Sequence, residues 1–367
     1  MKIASIEIFQ HGLKVVNGPY IYSGGTLDSL TTYLVKIKSD GGLTGWGETC
    51  PLGPTYQPAH AAGALAALHE LAPNLIGEPV LPRPLMHKMD SLLAEHNYAK
   101  AAIDIAVYDL LGKALQQPVH ALLGGALREK VPSYYAISLL SPEESVRIVK
   151  EKQKEGYRAL QIKSGSGDVR KDAEVIRSIY EVLAPGVTMA VDANRAMTTA
   201  EVIQFSNLVR DVPLALEQPC NTIEETRSLM GRVNHPIYLD ESAVDVVTVM
   251  TELGRGTCDG LGMKLTRVGG LSSMITVRDM AAARNAPMSV DDSWGGDVIA
   301  AACVHMASTV APRLFRGTWL AAPYIEQHYD PVNGIRIVDG EIQVPQAHGL
   351  GVTPDESLFG SPVAKFE

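Results

Sequence analysis

From Val131 to about Leu320 the chain repeats one unit, a short apolar or β-branched run followed by a segment of helical character. The runs are VPSYYAIS, ALQIKSG, TMAVDAN, LALEQPC, PIYLDES, GLGMKLT, PMSVDDS and LFRGTWL. Parallel strands covered on both faces read as apolar runs rather than as alternating ones, and eight such units of roughly 25 residues fit a β/α barrel better than a doubly wound sheet. The intervening helices carry start signals. Ser141-Pro142-Glu143-Glu144 supplies an N-cap, a proline at the first helical position and a capping-box glutamate, and Thr222 to Glu225 repeats that spacing. Gly156 fits a C-terminal stop.

Residues 1–128 do not share the repeat. Strand-like stretches at 2–9, 31–38 and 43–48 precede helical patterns at 59–72 and 99–116, the second within AKAAIDIAVYDLLGKALQQPVHALLGG. This reads as an α+β domain, followed by the barrel over 129–320 and a final stretch, 321–367, that leaves the barrel pattern and is expected to pack back on the first domain. At 367 residues, the length suits a large barrel with an addition. The net charge of -9 and the lack of any Lys/Arg block argue against a nucleic-acid partner and for a small molecule. MKIASIEI alternates like a strand and lacks the features of a signal peptide, and no apolar run is long enough for a membrane span, so a cytoplasmic protein without membrane contact is expected. Cys50, Cys220, Cys258 and Cys303 stand apart without metal-ligand spacing and read as small buried hydrophobes.

In a parallel barrel the functional face is the C-terminal end of the strands, so the polar residue closing each run is the informative one. In order these are Lys163, Asp192, Glu217, Asp240, Lys264 and the pair Asp291-Asp292. Three carboxylates from three successive strands repel one another unless protonated or neutralised by a cation, and an oxygen-only donor set selects a hard ion, here Mg²⁺. Lysines on the strands flanking that trio stand on either side of a ligand lying over the ion. One amine can remove a proton from carbon while the other returns it to the opposite face, with the ion stabilising the enediolate formed from a bound carboxylate. That chemistry needs a neutral lysine, and the cation, Arg267 and burial are expected to push one that way. The glycine pair Gly269-Gly270 reads as a tight turn rather than a phosphate cradle, and His235 and His305 as structural, since no histidine closes a strand.

At these residues the chain resembles the enolase superfamily, and within it the muconate-lactonizing-enzyme subgroup. The long helix of AKAAIDIAVYDLLGKALQQPVHALLGG is similar to the signature helix of that family's capping domain. DAN at 192–194, EQP at 217–219 and DES at 240–242 resemble its metal-ligand motifs, and KLTRVGGL at 264–271 its sixth-strand lysine motif. The resemblance spans essentially the whole chain. It implies a modified (β/α)7β TIM barrel with an α+β capping domain built from both chain ends, Mg²⁺ on Asp192, Glu217 and Asp240, acid/base chemistry by Lys163 and Lys264, and a homo-oligomer.

The family's second strand usually reads Lys-x-Lys, whereas here the first lysine is Gln161. Gln161, with PLGPTY at 51–56 and DDSWGGD at 291–297, resembles a smaller group acting on proline derivatives, including hydroxyproline-betaine epimerases and cis-3-hydroxy-L-proline dehydratases. That likeness implies substrate contacts by Tyr56, Gln161, Asn194, Asp292, Trp294 and Trp319, the aromatic residues walling a cationic ring nitrogen. The expected reaction is C2-proton abstraction from cis-3-hydroxy-L-proline with dehydration, 2-epimerisation or both. Alternatives are epimerisation of a proline betaine, epimerisation of a dipeptide, a Schiff-base barrel enzyme, or a barrel that binds without turnover. RGTWLAAP lacks the Asp-x-Asp that dipeptide epimerases of the subgroup usually carry.

Overall fold

The strand-like opening of the chain becomes one long strand, Ile3–Lys14, paired antiparallel with Ser29–Ser39, which in turn pairs with Thr44–Thr49. The computed structural model describes residues 1–16 and 18–367. Helix Asn97–Leu115 lies on this sheet and is buried on nearly every face, because the barrel helix Leu271–Ala283 and helix Pro82–Leu92 cover its other sides. It sits so close that a Cβ on Gly47 would meet the Ala102 carbonyl oxygen at 1.8 Å, so only glycine fits there. The strand Ala364–Phe366, from the chain's other end, pairs antiparallel with Ile3–Lys14 at the sheet's edge.

Two elements of this region escaped the sequence reading. Helix Pro82–Leu92 opens with Pro82 and Pro84, which look like breakers but are tolerated in a first turn, where the missing N–H is no loss. The other is the hairpin Tyr20–Tyr22 with Gly25–Leu27, whose strands are only three residues each.

The barrel sheet has seven parallel strands in sequential order: Tyr135–Ile137, Ala159–Lys163, Thr188–Asp192, Ala215–Glu217, Ile237–Leu239, Gly260–Lys264 and Met288–Asp291. Two runs behave differently from the reading. VPSYYAIS splits at Pro132, which has no N–H to give a ladder. Lys130–Pro132 joins a small antiparallel sheet with Glu341–Gln343, and only Tyr135–Ile137 enters the barrel. LFRGTWL closes the barrel through single bridges rather than a ladder. Arg316 N donates to Met288 O on one side, and Thr318 N donates to Pro132 O on the other.

The capping boxes expected at Ser141 and Thr222 are present. The helix start after Gly269-Gly270 holds no room for a phosphate, since Asp104 of the capping helix already accepts from Ser272 N and Ser272 Oγ there. His235 is tied to Ser206 and the Val212 carbonyl, and His305 to the Leu350 carbonyl. All four cysteines are free and buried.

Side chains two apart on a strand share a face, so the positions below the closers also point into the barrel. They are Gln161, Ala190, Ala215, Tyr238, Gly262 and Ser289, of which Ala190, Ala215, Gly262 and Ser289 are small. Such layers usually hold bulky branched side chains. Here the small residues leave a cavity of about 820 Å³ in the lower barrel, roofed by Tyr134, Gln161 and Glu217.

Candidate active site

Register assembles the site. Strand pairing sets Lys163 beside Asp192, Asp192 beside Glu217, and Lys264 beside Asp291. Asp192, Glu217 and Asp240 are buried and offer carboxylate oxygens within 4.8 Å of one another. Burial, then Asp192 and Asp240, push the Glu217 carboxyl well above its usual range. Burial opposes ionisation of Asp240 as well, but Arg267 and Lys264 outweigh it and hold that group below its usual range.

The donor set fits a hard divalent ion. It is all oxygen, and Glu217 Oε1 is buried with no hydrogen-bond partner among the described residues. Space beside that oxygen is kept by Gly262, where a Cβ would lie 2.9 Å from it. The three carboxylates are placed to hold Mg²⁺, which binds through a few carboxylates and keeps positions open for other ligands.

Lys163 Nζ lies 2.6 Å from Asp192 Oδ2, while Lys264 Nζ lies 3.4 Å from Asp240 Oδ2 and 3.2 Å from Asp291 Oδ2. Burial and the neighbouring carboxylates act on the two lysines in opposite directions. Burial lowers both pKa values, but Asp192 at Lys163, and Asp240 and Asp291 at Lys264, outweigh it and hold both above the ordinary lysine value. Arg267 acts on Asp240: its guanidinium lies 2.6 Å from Asp240 Oδ1, and it donates to Gln57 Oε1, to Tyr56 OH and to the Asp240 carbonyl.

The other sequence-selected residues gather around this centre with different contacts. Tyr56, on the capping-domain loop after Thr44–Thr49, donates its hydroxyl to Asp240 Oδ2 at 2.9 Å. Gln161 Nε2 donates to Glu217 Oε2 at 2.8 Å. Asn194 donates through Nδ2 to Glu241, and its own N–H to Asp192 Oδ1. Asp292 borders a second, separate cavity, which lies at the carboxylate centre and is lined also by Lys163, Asp240 and Lys264, but its carboxylate accepts from Trp294 N and Ala321 N, so it holds the loop as well. Trp294 sits at φ 129°, a conformation that side chains rarely adopt. Trp319 packs edge-on against Trp294, with ring centroids 5.4 Å apart.

Three aromatic wall residues were not singled out from the sequence. Tyr20 and Tyr22 enter from the capping hairpin and Tyr134 from the start of the first barrel strand. The glycine-flanked alternation in GPYIYSGG was a usable signal for the first two.

Residues 4–124 match the model of the mandelate racemase / muconate lactonizing enzyme N-terminal domain, and residues 144–358 match the enolase C-terminal domain-like model. The chain belongs to the enolase superfamily. It is a member of the mandelate racemase / muconate lactonizing enzyme family, which is a family of enzymes. It is 37% identical to the cis-3-hydroxy-L-proline dehydratase of Roseibium aggregatum over the full length of both chains. With the L-Ala-D/L-Glu epimerase of Clostridium acetobutylicum it shares 27% identity, covering 91% of this chain and 94% of that one. Among solved structures, an enolase-superfamily member from Roseovarius nubinhibens complexed with magnesium superposes with a TM-score of 0.94 at 34% identity, covering 100% of this chain and 99% of that one. Among the described residues of this family member, no helix is long and apolar enough to cross a membrane.

Proposed function

We propose that the protein abstracts the C2 proton of a cyclic amino acid, and that its substrate is cis-3-hydroxy-L-proline, which loses water. The reading rests chiefly on Lys163 and Lys264, two buried ammonium groups on strands that flank the carboxylate trio. The full-length likeness to a cis-3-hydroxy-L-proline dehydratase supports the choice of substrate.

Bound Mg²⁺ supplies positive charge that draws electrons from a substrate carboxylate and offsets the anions that keep the lysines protonated. One lysine then takes the C2 proton. The 3-hydroxyl departs with the C–O electron pair and is protonated to water, and the resulting enamine tautomerises to a pyrroline carboxylate. Where the other lysine instead returns a proton to the opposite face, the product is the 2-epimer.

A second reading, 2-epimerisation of a proline betaine, is favoured by the wall. Tyr20, Tyr22, Tyr56, Tyr134, Trp294 and Trp319 surround the cavity, and aromatic faces attract a quaternary ammonium by about 0.5–2 kcal/mol each. Incubation of the Mg²⁺-loaded enzyme with proline analogues in D₂O separates these readings. Loss of 18 mass units with pyrroline formation from cis-3-hydroxy-L-proline is the expected result, and a betaine that epimerises without losing water supports the second reading. If a dipeptide exchanges its C2 hydrogen and no proline analogue does, both are wrong.

A further inference from the structure

The two lysines are held unequally. Among the described residues Lys163 pairs only with Asp192, a member of the carboxylate trio, at 2.6 Å. Lys264 is shared between Asp240, also of the trio, and Asp291, which is not. Asp291 is fully buried and pinned at both oxygens: Ser289 Oγ donates to Oδ2 at 2.6 Å, and Trp319 N donates to Oδ1 at 2.8 Å. Its backbone oxygen accepts from Leu265 N, next to the lysine. Ser289 is one of the small residues lining the lower cavity.

We propose that Asp291, anchored by Ser289, is a positioning residue that keeps the Lys264 ammonium off Asp240 and so sustains proton transfer on one face of the substrate only. A single rigid carboxylate fixes both an acid/base group and the backbone of the Trp319 wall, and among the described residues Lys163 has no counterpart to it. Without Asp291, the remaining carboxylate within reach of Lys264 Nζ is the one 3.4 Å away on Asp240. The ammonium then moves towards the trio and away from the substrate.

This inference rests on the C2-proton chemistry proposed above. The test follows C2 hydrogen–deuterium exchange in D₂O by NMR, for each C2 stereoisomer of the substrate separately, with solvent as the deuteron source. Lys264→Ala first identifies the isomer that Lys264 serves. Asp291→Asn is then expected to slow exchange of that isomer at least tenfold and to leave the other within twofold of wild type. Ser289→Ala, which replaces one small cavity-lining side chain by another, is expected to act on the same isomer by a smaller factor. Equal losses for both isomers, as a general structural defect produces, overturn the proposal, as does no loss. If the wild-type enzyme exchanges neither isomer of any proline analogue, the functional reading has failed, and the crystal structure of Asp291→Asn decides the positioning role. Lys264 Nζ drawn onto Asp240 supports it, and Nζ unmoved overturns it.

Discussion

Gly262→Ala tests the metal site through one added carbon. The new Cβ stands 2.9 Å from Glu217 Oε1, closer than carbon and oxygen ordinarily approach, so the carboxylate must yield by several tenths of an ångström. It has little freedom to do so, because Oε2 is held by Gln161 Nε2 at 2.8 Å and Oε1 is the oxygen free for an ion. Mg²⁺ demands near-ideal octahedral geometry at about 2.0–2.1 Å, so a displacement of that size matters. Disturbing the surroundings of a metal ligand typically costs about 10–100-fold in affinity, or roughly 1.4–2.8 kcal/mol. The fold is spared, since both close contacts of the Cβ are with the Glu217 carboxylate (Oε1 at 2.9 Å and Cδ at 3.3 Å), the nearest atom beyond it, Asp240 Cβ at 3.5 Å, is at an ordinary distance, and alanine suits a strand better than glycine by about 0.5–1 kcal/mol. Calorimetric titration with Mg²⁺ is therefore expected to show the affinity loss, while the melting temperature without added metal stays at or above that of wild type. Affinity within twofold of wild type refutes the geometry, and a melting temperature several degrees lower shows that the methyl collides with the fold rather than with the ligand.

Lys163→Ala and Lys264→Ala are each expected to cut turnover by about 10²–10⁴-fold, the usual contribution of a general acid or base. Unchanged rates for both variants in a steady-state assay remove the lysines from the mechanism. Treatment with EDTA is expected to abolish turnover and added Mg²⁺ to restore it, whereas borohydride trapping of a carbonyl substrate points to Schiff-base chemistry. Trp319→Leu is expected to raise KM for a cationic ring by about 2- to 30-fold, equivalent to the roughly 0.5–2 kcal/mol of one aromatic face, and an unchanged KM places that cation elsewhere. Burial raises Asp104 to about 7 against hydrogen bonds from Ser272, so the folded state prefers it protonated. The stabilisation is full below the unfolded carboxylate value and is lost as pH rises through about 7. Between pH 4 and 7 the stability of wild type relative to Asp104→Asn is expected to fall by roughly 4 kcal/mol, at about 1.4 kcal/mol per pH unit. A difference that stays flat in urea titrations contradicts it.

The centre of the site was legible because a barrel converts local pattern into position. Once a strand is parallel and ends at the same level as its neighbours, the residue closing it is placed, and Lys163, Asp192, Glu217, Asp240 and Lys264 needed nothing more. What depends on contacts between distant segments was not legible. The Tyr56 hydroxyl on Asp240, the Trp319 N–H on Asp291 and Asp104 filling the helix start at Ser272 each join parts of the chain that no period links. The ion pairs that hold each lysine were not legible either, since Lys163 meets Asp192 at 2.6 Å and Lys264 meets Asp291 at 3.2 Å through side-chain geometry rather than through any period. Gln161 shows the limit most clearly. Its sequence marks a lost positive charge near the substrate, but its amide donates to Glu217 Oε2, on the carboxylate whose other oxygen is unpaired. A lysine there would pair with Glu217 and cancel part of the charge available to an ion. The amide satisfies one oxygen and leaves that charge whole, so the substitution acts on the metal site as much as on the substrate.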